Sequence, residues 1–256
     1  MNEREGAGMT QYRLLALDLD GTTLTEDKVI TAETRTWIQR AEQAGVKVIF
    51  ATGRGTQTTK SFWEELKLQS PMVLVNGAEV WESPEVLSKR VYIAREHLLQ
   101  LHQLAVEWDA HYWGYSVESL TSKRNWTEQM FDRDWMKFGI RHDDLDKIQE
   151  LRHIIQGWGT LEITRSAAVN IEISPKGISK ESGVRIVCDQ LGIRMDQVMA
   201  IGDNMNDLKL ISAAGLGVAM GNSDDELKLE ANAITDTNEQ DGVAKAIQKY
   251  IFQLAV

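Results

Sequence analysis

The chain is 256 residues long, 43% hydrophobic and 26% charged, with three prolines and no short repeat, a composition that excludes disorder and collagen-like structure. Its formal net charge of −10 argues against a nucleic-acid or anionic-membrane surface, and no stretch approaches the ~18–20 uncharged apolar residues of a membrane span. The single cysteine, Cys188, allows no internal disulfide, and no Cys/His cluster suggests zinc.

In chain order, the opening six residues lack the apolar centre of a signal peptide, so a cytoplasmic protein is expected, with residues 1–11 as a disordered leader and Met9 as an alternative start. Apolar runs at residues 14–17, 46–51 and 72–75 end at Asp18, Thr52-Gly53 and Asn76-Gly77. Runs this short and continuous predict strands buried on both faces, the habit of a parallel sheet. Residues 31–44 predict a helix capped by Thr31 and stopped at Gly45.

From about 82 to 174 the rhythm changes, and five tryptophans (Trp108, Trp113, Trp126, Trp135, Trp158) and all five histidines fall here. Pro84 and Pro175 border the stretch, where a fixed φ and a missing N–H suit a linker. It predicts an inserted α+β domain over residues 82–174, with helices at 95–108 and 145–156 and strands at 160–164 and 170–173. Strand and helix alternate again afterwards. Helices are predicted at 179–191, stopped by Gly192, and at 207–214, stopped by Gly215, with strands at 197–201 and 216–220. The fold class is therefore α/β: a discontinuous Rossmann-like parallel-sheet core from residues 1–81 and 175–256, interrupted by the inserted domain. Ligands in such sheets sit outside the carboxyl ends of the strands, where the polar steps above all fall.

Four of those steps carry chemistry. In Asp18-Leu19-Asp20-Gly21-Thr22, two carboxylates on a continuing strand share a face, and Gly21 permits the turn that follows. Paired carboxylates repel unless a cation or proton lies between them, which invites Mg²⁺, a hard cation with oxygen ligands. A chance D-x-D-G-T in a chain of this length arises on the order of a few times in a thousand. Thr52-Gly53-Arg54 offers a hydroxyl and a backbone N–H to phosphate oxygens, although an ordinary strand-end turn is the commoner meaning of three such residues. Lys180 opens a helix against the helix dipole, as either a surface charge or a cation aimed at an anion, with Lys176 a competitor. Finally, Gly202-Asp203-Asn204-Met205-Asn206-Asp207 places Asp203 and Asp207 four apart at a helix start, where capping alone does not account for two acids and two asparagines.

Taken together, the order D-x-D-G-T, T-G-R, K, G-D-x-x-N-D resembles the haloacid dehalogenase superfamily of phosphatases, and the inserted segment resembles the large α/β cap of its Cof-type branch. The resemblance spans residues 12 to about 254. It implies that Asp18 is the nucleophile, forming an aspartyl-phosphate, and that Asp20 is the general acid/base. It also implies Mg²⁺ held by the Asp18 carboxylate, the Asp20 backbone carbonyl and Asp203. Thr52, the Gly53 amide, Lys180 and Asn206 would then contact phosphate or substrate, with Asp207 orienting Lys180 or a metal-bound water. One departure is that Glu181-Ser182 stand where the family commonly has glycine after this lysine, with Gly183 following.

The expected activity is Mg²⁺-dependent hydrolysis of small phosphomonoesters, sugar phosphates first, by a monomer or small homo-oligomer whose partner is a small phosphorylated metabolite. Two rivals share the motifs: a phosphosugar mutase with the same nucleophile and a phosphosugar-binding regulator without turnover. A dinucleotide site at Gly215, Gly217 and Gly221 has the wrong spacing. Between 82 and 174, eleven Lys and Arg face fifteen Asp and Glu, so the cap is no basic clamp. Its tryptophans are read as core and its histidines as surface or structural.

Overall fold

The computed structural model describes residues 10–255, so most of the expected leader and Met9 lie outside the described residues. The first strands and helices are β1 (Leu14–Leu17), α1 (Ala32–Gln43), β2 (Lys47–Phe50), α2 (Thr56–Leu66) and β3 (Met72–Leu74). A hairpin follows, β4 (Glu79–Ser83) and β5 (Val86–Arg90), then α3 (Arg95–Glu107), β6 (His111–Ser116), β7 (Leu120–Ser122) and β8 (Trp135–Arg141). Next come α4 (Leu145–Gly157), β9 (Leu161–Thr164), β10 (Asn170–Pro175), α5 (Lys180–Leu191) and β11 (Val198–Gly202). The chain ends with α6 (Leu208–Ala213), β12 (Leu216–Ala219), α7 (Asp225–Glu230), β13 (Ala233–Ile234) and α8 (Gly242–Tyr250).

The core sheet has the order β13-β12-β11-β1-β2 and is parallel throughout. An Ala51–Val73 bridge brings β3 alongside β2. Every residue of β1 is buried, because alternate side chains enter opposite clusters. Leu15 and Leu17 pack with Trp37, Ile38 and Ile247 under α1 and α8, whereas Leu14 and Ala16 pack with Val184, Val187 and Leu210 under α5 and α6. Two-sided burial is what makes this strand read as an uninterrupted apolar run. It also fixes where the run must end, since Asp18 is the first side chain with a polar destination.

The cap is an antiparallel sheet of order β7-β6-β8-β10-β9. Helices α3 and α4 cover one face through Leu98, Leu101, Phe138, Ile140, Ile148, Leu151 and Ile171. Its other face carries Tyr115, Lys137 and Glu172 toward the core domain. Trp135 is fully buried in the cap cluster, and Trp108, Trp126 and Trp158 pack against it. Trp113 instead lies over Gly139, where an added Cβ would meet its indole at 2.2 Å. Glu82 lies inside β4, and Pro84 occupies the turn of the β4–β5 hairpin, so an antiparallel sheet β3-β4-β5 runs across that point of the chain. Strands β6 to β8 have no counterpart in the sequence reading because aromatic, glycine and polar residues are mixed along them. Among the described residues, no helix is long and apolar enough to cross a membrane.

Candidate active site

Four strand ends meet at one point. β1 delivers Asp18 and Asp20, β2 delivers Thr52 and Gly53, β3 delivers Asn76, and β11 delivers Asp203. The sharp turn after β1 depends on Gly21, whose φ is +71° and where a Cβ would stand 2.3 Å from Asp203 Oδ2. A second close approach sets the lysine. Gly77, φ +96°, lies against the Ser179 carbonyl, and Gly183 lies against Val73, so the start of α5 packs directly on the end of β3. Ser179 and Ser182 form a reciprocal cap at this helix start.

Lys180 is completely buried, while Lys176 is exposed. Its ammonium lies 2.9 Å from Asp18 Oδ1 and 2.6 Å from Asp207 Oδ1. An ammonium at a helix start opposes the dipole, and two carboxylates offset that penalty here. Their charges hold the lysine well above its ordinary value even though burial works against it. Glu181 turns outward and pairs with Arg185 one helical turn on, so it does not face this cluster.

The same crowding acts on the acids. Burial first, and then the charge of Asp207, raise Asp18 to about 7 despite Lys180. Burial and the charges of Asp18 and Asp207 raise Asp203 to about 8. One oxygen from each of Asp18, Asp203 and Asp207 lies within 4.8 Å of the others, a spacing that could hold a metal ion. Asp207 is already engaged, since Oδ1 accepts from Lys180 and Oδ2 from the backbone N–H groups of Asp203 and Asn204 at 3.2 and 3.3 Å. Asp203 Oδ1 accepts from the Thr22 hydroxyl at 3.0 Å. Asp18 Oδ1, buried and close to Lys180, makes no aligned hydrogen bond. The free acceptors are therefore on Asp18 and Asp203. Two hard carboxylates with unspent oxygens, each pushed upward by burial and by neighbouring carboxylates, fit a divalent cation.

Asp20 stands in the opposite condition. Its carboxylate is outside this cluster and accepts two hydrogen bonds from Arg54, Nε at 2.6 Å and Nη2 at 2.7 Å, and one from Lys28 at 2.8 Å. Burial pushes it up, but those hydrogen bonds and charges win and hold it at about 2. Any share of Asp20 in holding a metal falls to its backbone carbonyl.

Thr52 is buried, its N–H donating to Val73 and its carbonyl accepting from Asn76, both at 2.9 Å. The Gly53 carbonyl accepts from Lys137 of the cap at 2.7 Å. Asn206 donates its backbone N–H to the Arg165 carbonyl of the cap at 3.1 Å. Four residues absent from the sequence-derived set complete the surroundings: Thr22, Asn76, Lys137 and Glu172. Asn76 and its neighbour Val75 both hold left-handed backbone, φ +55° and +52°, which a β-branched residue rarely adopts. The Asn76-Gly77 step at a strand end was the available signal for Asn76. Lys137 and Glu172 gave none, because a charge flanked by apolar residues on a strand ordinarily means a solvated face.

Comparison with known proteins agrees with this geometry. A family profile of haloacid dehalogenase-like hydrolases matches residues 15–150 and 121–247. The chain belongs to that family. The 5-amino-6-(5-phospho-D-ribitylamino)uracil phosphatase YcsE of Bacillus subtilis is 38% identical over 93% of this chain and 96% of its own. The pyridoxal phosphate phosphatase YbhA of Escherichia coli is 30% identical over 93% and 98%. Among solved structures, a haloacid dehalogenase-like hydrolase from B. subtilis superposes with a TM-score of 0.85 over 92% of this chain and 99% of its own, at 22% identity. An HAD subclass IIB sugar phosphatase gives 0.83 over 93% and 98%, at 20% identity. The α/β core with its cap is thus the fold of this family, and the hydrolase described here is of the phosphatase type.

Proposed function

We propose that this hydrolase is a Mg²⁺-dependent phosphatase of small cytoplasmic phosphomonoesters, acting through an aspartyl-phosphate on Asp18. The observation that carries the reading is the buried Lys180 ammonium, set between Asp18 and Asp207 at the end of β1 with Asp203 beside them. A cation so placed holds the nucleophile and offers positive charge to a phosphoryl group at the same point. Asp18 attacks phosphorus as the ester P–O bond breaks, and Asp20 gives its proton to the departing alcohol. Water then attacks phosphorus, Asp20 takes its proton, and the Asp18–phosphorus bond breaks to release phosphate. A carboxyl held at about 2 carries no proton near neutrality, so the acid role needs Asp20 released from Arg54 and Lys28. Thr52 and the Gly53 N–H contact phosphate oxygens, and Asn206 contacts the substrate. Mg²⁺, held by Asp18, Asp203 and the Asp20 carbonyl, would shield the nucleophile from the phosphate's charge. Relatives named for ribitylaminouracil and pyridoxal phosphates support a substrate of metabolite size.

The test is phosphate release from sugar phosphates, nucleotides and p-nitrophenyl phosphate, with Mg²⁺ and with EDTA, for the wild type and Asp18→Asn. Metal-dependent release that Asp18→Asn abolishes is the expected result. Release indifferent to EDTA, or retained by Asp18→Asn, overturns the metal or the nucleophile assignment respectively.

A further inference from the structure

A cavity of about 250 Å³ adjoins the site where the β9–β10 edge of the cap meets the starts of α5 and α6, and both Lys180 and Asn206 are in its wall. Nearly every charged group around it is matched. Lys180 is held by Asp18 and Asp207, Lys209 pairs with Glu162, and Arg165 pairs with Glu226 at 3.1 Å and Asp224 at 3.4 Å. Arg152 is the exception. It has no carboxylate partner among the described residues, and its one hydrogen bond, from Nη2, goes to the neutral Asn170 carbonyl at 3.2 Å. Its Nε is buried with no partner, as is Asn206 Oδ1 in the same wall. Burial, and then the neighbouring Arg165 charge, push the Arg152 guanidinium down, and the charge of Glu226, already shared with Arg165, offsets this only in part.

A half-buried guanidinium beside a second cation, with one donor unpaired, is unfavourable unless something supplies an acceptor. Guanidinium pairs best with a planar or tetrahedral oxyanion, through two parallel N–H bonds. Asn206 Oδ1 at the same time asks for an O–H or N–H donor. We infer that this cavity receives the alcohol portion of the phosphomonoester and that Arg152 selects substrates bearing a second oxyanion there, with Asn206 reading an adjacent hydroxyl or N–H. The inference rests on the phosphatase reading and adds the substrate class to it: acidic phosphate esters, such as phosphorylated sugar acids, over their neutral counterparts. Arg152 is on α4 of the cap and reaches the ligand only where cap and core meet, so recognition and enclosure of the substrate are one event.

The experiment compares kcat/KM for matched pairs differing in one group, a carboxylate against a hydroxymethyl: 6-phosphogluconate against glucitol 6-phosphate, and 3-phosphoglycerate against glycerol 3-phosphate. The wild type is expected to prefer the acidic member of at least one pair. Arg152→Gln is expected to lower the acidic-to-neutral ratio roughly ten- to a hundredfold, the scale of a hydrogen bond to a charged group, chiefly through KM. Arg152→Lys keeps the charge and the fold and gives an intermediate ratio. A wild type that favours the neutral member of both pairs overturns the inference, as does a ratio that neither substitution changes. Either result leaves the phosphatase reading standing, whereas failure to hydrolyse any ester in the presence of Mg²⁺, p-nitrophenyl phosphate included, counts against that reading instead.

Discussion

The junction between cap and core gives a prediction whose size follows from the structure. Glu172 is buried and accepts from Asn76 Nδ2 at 2.6 Å, from Ser166 at 2.8 Å and from Lys137 at 3.2 Å. Lys137, equally buried, otherwise donates to the neutral Gly53 carbonyl and lies over the Tyr115 ring, 5.1 Å from its centroid. Glu172→Gln keeps the shape and most of the hydrogen bonds but leaves the Lys137 ammonium without a counter-charge. Stranding one member of a buried ion pair costs about 3–5 kcal/mol. Asn76 and Gly53 belong to the core, while Glu172 and Lys137 belong to the cap, so swinging the cap away would return Lys137 to water and remove the penalty. The loss therefore falls on closure more than on folding. At ~1.4 kcal/mol per factor of ten it amounts to a drop in kcat/KM of roughly a hundredfold or more.

The assay pairs kcat/KM on p-nitrophenyl phosphate with a thermal melt. A large fall in the first with little change in the second is expected, and Lys137→Met in the Glu172→Gln background should recover a substantial part of the loss. Activity within threefold of wild type would refute the reasoning, as would full loss of folding in both variants. The pH dependence adds a sign. Burial alone would raise Glu172, but the Lys137 charge and the hydrogen bonds from Ser166, Asn76 and Lys137 hold it below its ordinary 4.5. Its contribution is thus fully present above 4.5 and is lost as pH falls through the lowered value. Glu172→Gln lacks that acid limb.

Three further outcomes are expected. Thr22→Val removes the hydroxyl that Asp203 Oδ1 accepts from and should weaken Mg²⁺ binding about ten- to a hundredfold by calorimetric titration, with the melting temperature little altered. Gly21→Ala must accommodate a left-handed φ, costing about 1–2 kcal/mol, and a Cβ 2.3 Å from Asp203 Oδ2, so it should lose both stability in urea and Mg²⁺ affinity. Cys188 is buried, and its thiol is pushed up to about 11 by burial and by Asp189, so a thiol reagent at neutral pH should label it only after unfolding.

The core strands β1, β2, β3, β11 and β12 were legible in the sequence because their apolar runs are almost wholly buried and end at a polar or glycine step, whereas β13, two residues at the sheet edge with Ile234 exposed, offered no such run. Residues 14–17, 46–51, 72–75 and 216–220 contain β1, β2, β3 and β12, and residues 197–201 cover β11 except its last residue, Gly202. Helix α1 was legible from Thr31, whose hydroxyl accepts from the Thr34 N–H, and from the Gly45 that follows it. Helix α2 was not, because its first half, Thr56-Gln57-Thr58-Thr59, has neither helix-forming composition nor a capping side chain. In the cap, α3 and α4 showed an apolar stripe, but β6 and β8 break alternation with Gly114 and Gly139, which are glycine because Trp135 and Trp113 lie on them. Contacts between distant rings leave no local pattern. The same holds for Lys137 and Glu172, whose burial exists only because the cap meets Gly53 and Asn76, and for the pairing of Asp20 with Arg54 across 34 residues.

Asp18 and Asp20 are two residues apart and in opposite electrostatic surroundings, and that contrast explains how a chain of net charge −10 can take up an anion. Around Lys180, burial, and then the crowding of three carboxylates on one ammonium, push Asp18 and Asp203 up to about 7 and 8. Around Asp20, one carboxylate has two cations and is held at about 2. A divalent cation beside Asp18 and Asp203 would restore neutrality to the first group. The second group already carries surplus positive charge, from Arg54 and Lys28, and the Arg54 guanidinium is close enough to Asp18 to be influenced by its charge. In the proposed phosphatase the incoming phosphate dianion meets these two cations, and its competition for them is what frees Asp20 for proton transfer. No basic surface is required, because the positive charge is gathered at strand ends that only the folded chain brings together.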